Sequence, residues 1–177
     1  MRYSRPTLFL LALILASSPA RADEEFEPFV GDFEGKYTTV DGGIEKSRDL
    51  SVSIHETSDG FNVSWKTTTF KKKKKKTKGY SIDFIKSDRE HIFQAAQKKN
   101  VFGGREPLDP MKGDPYVWAR IEGAKLTVYA LNVTEDGGYE MQTFNRVLMD
   151  DKNLHLKFSR FRDGKPLKSI DTILYRQ

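Results

Sequence analysis

A chain of 177 residues with no cysteine, 37% hydrophobic residues and a formal charge of +5 has room for one domain with a real core. The missing thiols exclude a disulfide framework, a cysteine zinc site and a lipidated N-terminal cysteine. The positive charge is local: Lys71–Lys76 with Lys78 outweighs the net charge of the whole chain, so the rest of the surface is mildly acidic.

The first element is a leader. Arg2 and Arg5 precede the unbroken apolar run Leu8–Ala16, and the small residues after it end in Ala20 and Ala22. This is the three-zone pattern of a secretory signal peptide, and the run is far shorter than the roughly 20 residues a membrane-spanning helix needs. The pattern predicts a signal peptide over 1–22, cleavage after Ala22, a single domain over 23–177 without a membrane-spanning segment, and a periplasmic or secreted protein.

From Val30 onward the chain is a series of short alternating segments. Val30–Val40 stops at Asp41-Gly42-Gly43. Leu50, Val52 and Ile54 share a face before Asp59-Gly60, then Phe61, Val63 and Trp65, then Tyr80, Ile82 and Phe84. Asp88–Lys99 is ambiguous, with Ile92–Gln97 as a short strand or the whole as the best helix candidate. Asn100–Pro115 is rich in proline and glycine and reads as a long loop. Tyr116–Glu122, Leu126–Ala130, Tyr139–Met149, Leu154–Phe158 and Leu167–Arg176 complete the series, with Asp136-Gly137 and Asp163-Gly164 as turns. Period-two hydrophobicity broken by Asp-Gly turns predicts an all-β antiparallel fold. Some 8–10 strands of this kind hide their edges best by closing into an up-and-down barrel.

The opening Gly31-Asp32-Phe33-Glu34-Gly35-Lys36-Tyr37 and the closing Leu174-Tyr175-Arg176 carry a resemblance. The first resembles the G-x-W opening of lipocalins and the F-x-G-x-Y opening of fatty-acid-binding proteins, both in the calycin group. Arg176 is similar to the calycin arginine that packs across the first-strand aromatic, so the resemblance implies barrel closure through Phe33 and Arg176 and a small-molecule cavity. Phe33 stands where lipocalins have tryptophan, and no ligand contact carries over.

No catalytic motif stands out. There is no G-x-S-x-G, and His55, His91 and His155 lack zinc spacing. The reading is therefore a non-enzymatic binding protein without cofactor or metal. Two surfaces are candidates. Trp65, Tyr80, Phe84, Trp118, Tyr129 and Phe144 come from several strands and could line a pocket for a small apolar or amphipathic ligand. An inward arginine, Arg120, Arg146 or Arg160, could meet a ligand carboxylate. Alternatively Lys71, Lys72, Lys73, Lys74, Lys75, Lys76 and Lys78 form a hairpin tip or projecting loop that meets an anionic lipid surface or a protein partner. Nucleic acid is disfavoured because no aromatics interleave the lysines to stack on bases. An outer-membrane barrel is disfavoured by the Lys, Arg, Asp and Glu that recur at frequent intervals in these strands.

Overall fold

The computed structural model describes residues 25–41, 44–71, 74–96, 98–99, 105–106 and 108–177; the leader prediction over 1–22 lies outside them. Ten strands close into one antiparallel up-and-down barrel: β1 (Gly31–Asp41), β2 (Ile44–Thr57), β3 (Gly60–Lys71), β4 (Lys74–Lys86), β5 (Ile92–Ala95), β8 (Tyr116–Glu122), β9 (Lys125–Val133), β10 (Tyr139–Leu148), β11 (Leu154–Arg162) and β12 (Lys165–Arg176). Two short strands, β6 (Lys98–Lys99) and β7 (Arg105–Glu106), pair separately. Neighbours in sequence are neighbours in the sheet, and β12 returns to β1 to complete the ring.

Alternation sets the inside. Phe33, Val52, Val63, Phe84, Ala119, Val128 and Leu156 are buried, and each lies two residues from another inward position on its strand. The structure decides two readings that the sequence left open. Asp88–Lys99 is no helix: β5 occupies Ile92–Ala95, where Phe93 is buried and pairs with Ala119 of β8. A buried aromatic held on both sides by strand neighbours outweighs weak helical propensity. Of the two forms expected for the lysine tract, the described residues show the hairpin. Lys71 pairs with Lys74 and the ladder runs through Thr69–Lys76, Thr68–Thr77 and Thr67–Lys78, so the three threonines of β3 hold the lysines in extended backbone. Lys72 and Lys73 lie outside the described residues. Within 100–115, Asp109 caps a short 3-10 turn at Pro110–Lys112 by accepting from the Met111 amide.

The two ends of the barrel differ. At the lower end, Phe26 and Phe29 flank and close a 3-10 turn (Glu27–Phe29) and are almost fully buried. Phe26 and Phe84 stack on Phe61, with centroids 5.0 and 5.3 Å away, and Phe93 meets it edge-on at 5.1 Å. Four aromatic rings thus plug this end. The other end, bordered by the β1–β2, β3–β4, β9–β10 and β11–β12 hairpins, is the mouth.

The seam between the first and last strands is held by Phe33 and Arg176, which are register partners. The Arg176 guanidinium carbon lies 4.6 Å from the Phe33 ring centroid, and Arg176 donates to the carbonyls of Val30, Pro28 and Lys152. Gly35 is required here for close approach: a Cβ would stand 2.5 Å from the Ile173 carbonyl oxygen and 2.7 Å from Leu174 Cδ2. Glu25 further ties the start of the described chain to the β4–β5 turn. Its carboxylate lies 3.1 Å from His91 Nδ1, and this hydrogen bond, with the carboxylate's charge, raises the His91 pKa.

Candidate functional site

Above the aromatic plug the barrel is hollow. A cavity of about 640 Å3 opens towards the mouth, within the size range of small-molecule sites. Trp65, Phe144, Phe158, Leu50 and Ile170 supply its apolar wall. Trp65 packs on Tyr80 at 5.5 Å and on Phe144 at 5.1 Å, and Phe144 on Phe158 at 4.7 Å. These contacts join β3, β4, β10 and β11 across the barrel.

Arg146 is the unusual group. It is 1% exposed and sits on β10 between Leu126 and Leu156. Its guanidinium carbon lies 5.7 Å from the Trp65 centroid and 5.5 Å from the Phe144 centroid. Neither Nε nor Nη1 has a hydrogen-bond partner among the described residues. Burial lowers its pKa to about 10, so it is still charged at neutral pH. The rings offer cation–π attraction, but ring faces do not replace the oxygen acceptors a desolvated guanidinium requires. Buried polar groups left in this condition are few in folded proteins, and each calls for an explanation.

The other two arginines raised by the sequence differ. Arg120 is exposed on the outer face and pairs with Glu122 at 2.6 Å. Arg160 is paired with Glu140 at 2.5 Å. Among the three, Arg146 alone combines burial with unmet donors.

The structure sorts the six aromatic candidates into three places. Trp65, Tyr80 and Phe144 line the cavity together. Phe84 belongs to the plug beneath it. Trp118 and Tyr129 are cross-strand partners stacked at 4.8 Å, and they alternate with the buried Val117, Ala119 and Val128. They therefore decorate the outside and do not line the cavity. The signal was present in the sequence: Trp118 shares its face with Arg120 and Glu122, while Val117, Ala119 and Ile121 carry no polar atom.

Of the lysine tract, Lys75, Lys76 and Lys78 are exposed and border the cavity mouth; Lys71 and Lys74 are described through their backbone pairing alone. Above Phe84, β4 has no partner strand on its β5 side among the described residues. Tyr80, on that stretch of β4, is 61% exposed. His91 faces Glu25, and His155 Nε2 lies 2.5 Å from Asp171, which is held below its usual pKa by that hydrogen bond. Neither histidine belongs to the cavity wall.

Sequence reasoning missed Tyr37, Arg48 and Lys168. Arg48 and Lys168 donate to the Tyr37 hydroxyl over 2.9 and 3.0 Å, and all three line the cavity. The alternation of β1, β2 and β12 places each on an inward face, but their meeting depends on ring closure.

No family model matches the chain, and no curated protein or solved structure shows significant similarity to it. No helix among the described residues is long and apolar enough to cross a membrane.

Proposed function

We propose that this chain is a non-catalytic, calycin-like carrier, exported to the periplasm or beyond, whose barrel holds a small amphipathic acid. One observation carries the reading: a fully buried, still-charged arginine with unmet donors at the wall of an aromatic-lined cavity. A carboxylate would satisfy the fork of Arg146 by charge-assisted hydrogen bonds, and the apolar remainder of the ligand would cover Trp65, Phe144 and Phe158. Ten antiparallel strands in a closed ring with Phe33 under Arg176 support the calycin assignment. Fold alone does not fix the ligand.

The two tryptophans make the test clean, because one lines the cavity and the other is outside. In Trp118→Phe, titration with a medium-chain carboxylic acid is expected to shift Trp65 fluorescence saturably, and the matching primary alcohol to bind about ten-fold more weakly or worse. Equal binding of acid and alcohol would remove Arg146 from the site; no saturable change with either would remove the ligand.

A second reading is favoured by the exposed lysines at the mouth: the β3–β4 hairpin docks the open end on an anionic surface. Each lysine near such a surface contributes roughly 1 kcal/mol, screened by salt. The chain over 23–177 is expected to sediment with phosphatidylglycerol-containing vesicles at low ionic strength and to release at high ionic strength. Serine at 71–76 should eliminate sedimentation; retention by that variant would place the contact elsewhere.

A further inference from the structure

Tyr37, Arg48 and Lys168 form a polar corner that the carrier reading does not use. Tyr37 is 8% exposed. Arg48 approaches its hydroxyl from β2 and Lys168 from β12, and both cations also lie beside its ring, at 5.7 and 5.2 Å from the centroid. The hydroxyl oxygen accepts from both, so its own proton remains to be donated. No carboxylate lies within ion-pair distance of either cation among the described residues, and Arg48 Nε is buried without a hydrogen-bond partner. Two like charges drawn onto one neutral oxygen repel each other and are poorly compensated. An oxyanion in the corner would accept from the guanidinium, the ammonium and the phenol together.

This corner is separate from Arg146. Between them runs a wall of two rings: Arg146 lies 5.5 Å from the Phe144 centroid, Phe144 packs on Phe158, and Lys168 lies 6.0 Å from the Phe158 centroid. Cation, apolar wall and cation therefore follow one another along the cavity. We infer that Tyr37, Arg48 and Lys168 are a second anion site, and that the ligand is an apolar spacer with an acidic group at each end. The inference rests on the carrier reading and specifies its ligand class. A carboxylate and a phosphate monoester share the chemistry the corner would recognise.

The test compares three ligand series of graded chain length against Trp118→Phe, read by Trp65 fluorescence: alkyl monocarboxylates, α,ω-dicarboxylates, and ω-phosphorylated carboxylates. At the best length, a doubly acidic series is expected to bind about ten-fold or more tightly than the monoacid at neutral pH, and the tighter of the two identifies the mouth-end group. In Arg48→Gln/Lys168→Gln that affinity ratio should fall to near one. Tyr37→Phe, which keeps the ring and loses only the hydroxyl, should lower the ratio partway and serves if the double variant does not fold. Monoacids that bind as tightly as both doubly acidic series, or a ratio that survives the variants, would overturn the second site while leaving the carrier reading intact. No binding by any series would overturn both.

Discussion

Arg146→Met is expected to yield a protein more stable than its parent and unable to distinguish an acid from an alcohol. Arg146 is desolvated, and two of its nitrogens lack partners. Replacing a poorly compensated buried charge with an apolar side chain of similar volume is often stabilising, by ~1–4 kcal/mol. Titration gives the same sign. Burial lowers the Arg146 pKa to about 10, against the charged form. The unfolded chain binds its proton more tightly, so this group costs stability at neutral pH, and the cost is relieved as pH rises past about 10. Urea unfolding of the ligand-free protein checks this: the midpoint should rise with an unchanged slope. A lower midpoint would mean that Arg146 is satisfied in the empty barrel and has no need of a ligand. Such a group, retained at a cost in stability, is the expected mark of function.

Phe33→Ala is expected to lose ~3–5 kcal/mol, the range for truncating a buried phenylalanine, and Arg176→Ala a smaller but large amount. Phe33 is completely buried under the Arg176 guanidinium, and the same side chain donates to carbonyls before β1 and after β10. Removing the arginine strips three carbonyls of a donor and exposes the ring at the seam where β12 meets β1. Arg176→Lys should fall between, since an ammonium keeps the charge but cannot span the carbonyls as a planar fork. Midpoints from urea unfolding, compared across the three variants, give the order. If Arg176→Ala matches the parent, the strand ladder alone closes the barrel.

The contrast between these residues shows how far the sequence could be read. Phe33 and Arg176 were legible because each sits in a short motif at a chain end, and a resemblance linked them. The segmentation into ten barrel strands was legible because Asp-Gly turns and period-two alternation are local. The lysines were legible as a hairpin or a projecting loop and no further: how far the β3–β4 ladder extends into the tract, to Lys71 opposite Lys74, was decided by strand pairing. Trp118 and Tyr129 were placed with the cavity because aromatic character was weighed above the charges on Trp118's own face.

By itself the sequence determined the all-β class, the turn positions and the alternation of faces, since each depends on residues a few positions apart. The tertiary structure alone decided that Arg146, and neither Arg120 nor Arg160, is the buried and unpaired cation. It also decided that Tyr37 meets Lys168 across 131 positions of chain. Alternation tells each strand it has two sides, but only closure of the ring decides which side is inside and which distant strands share it.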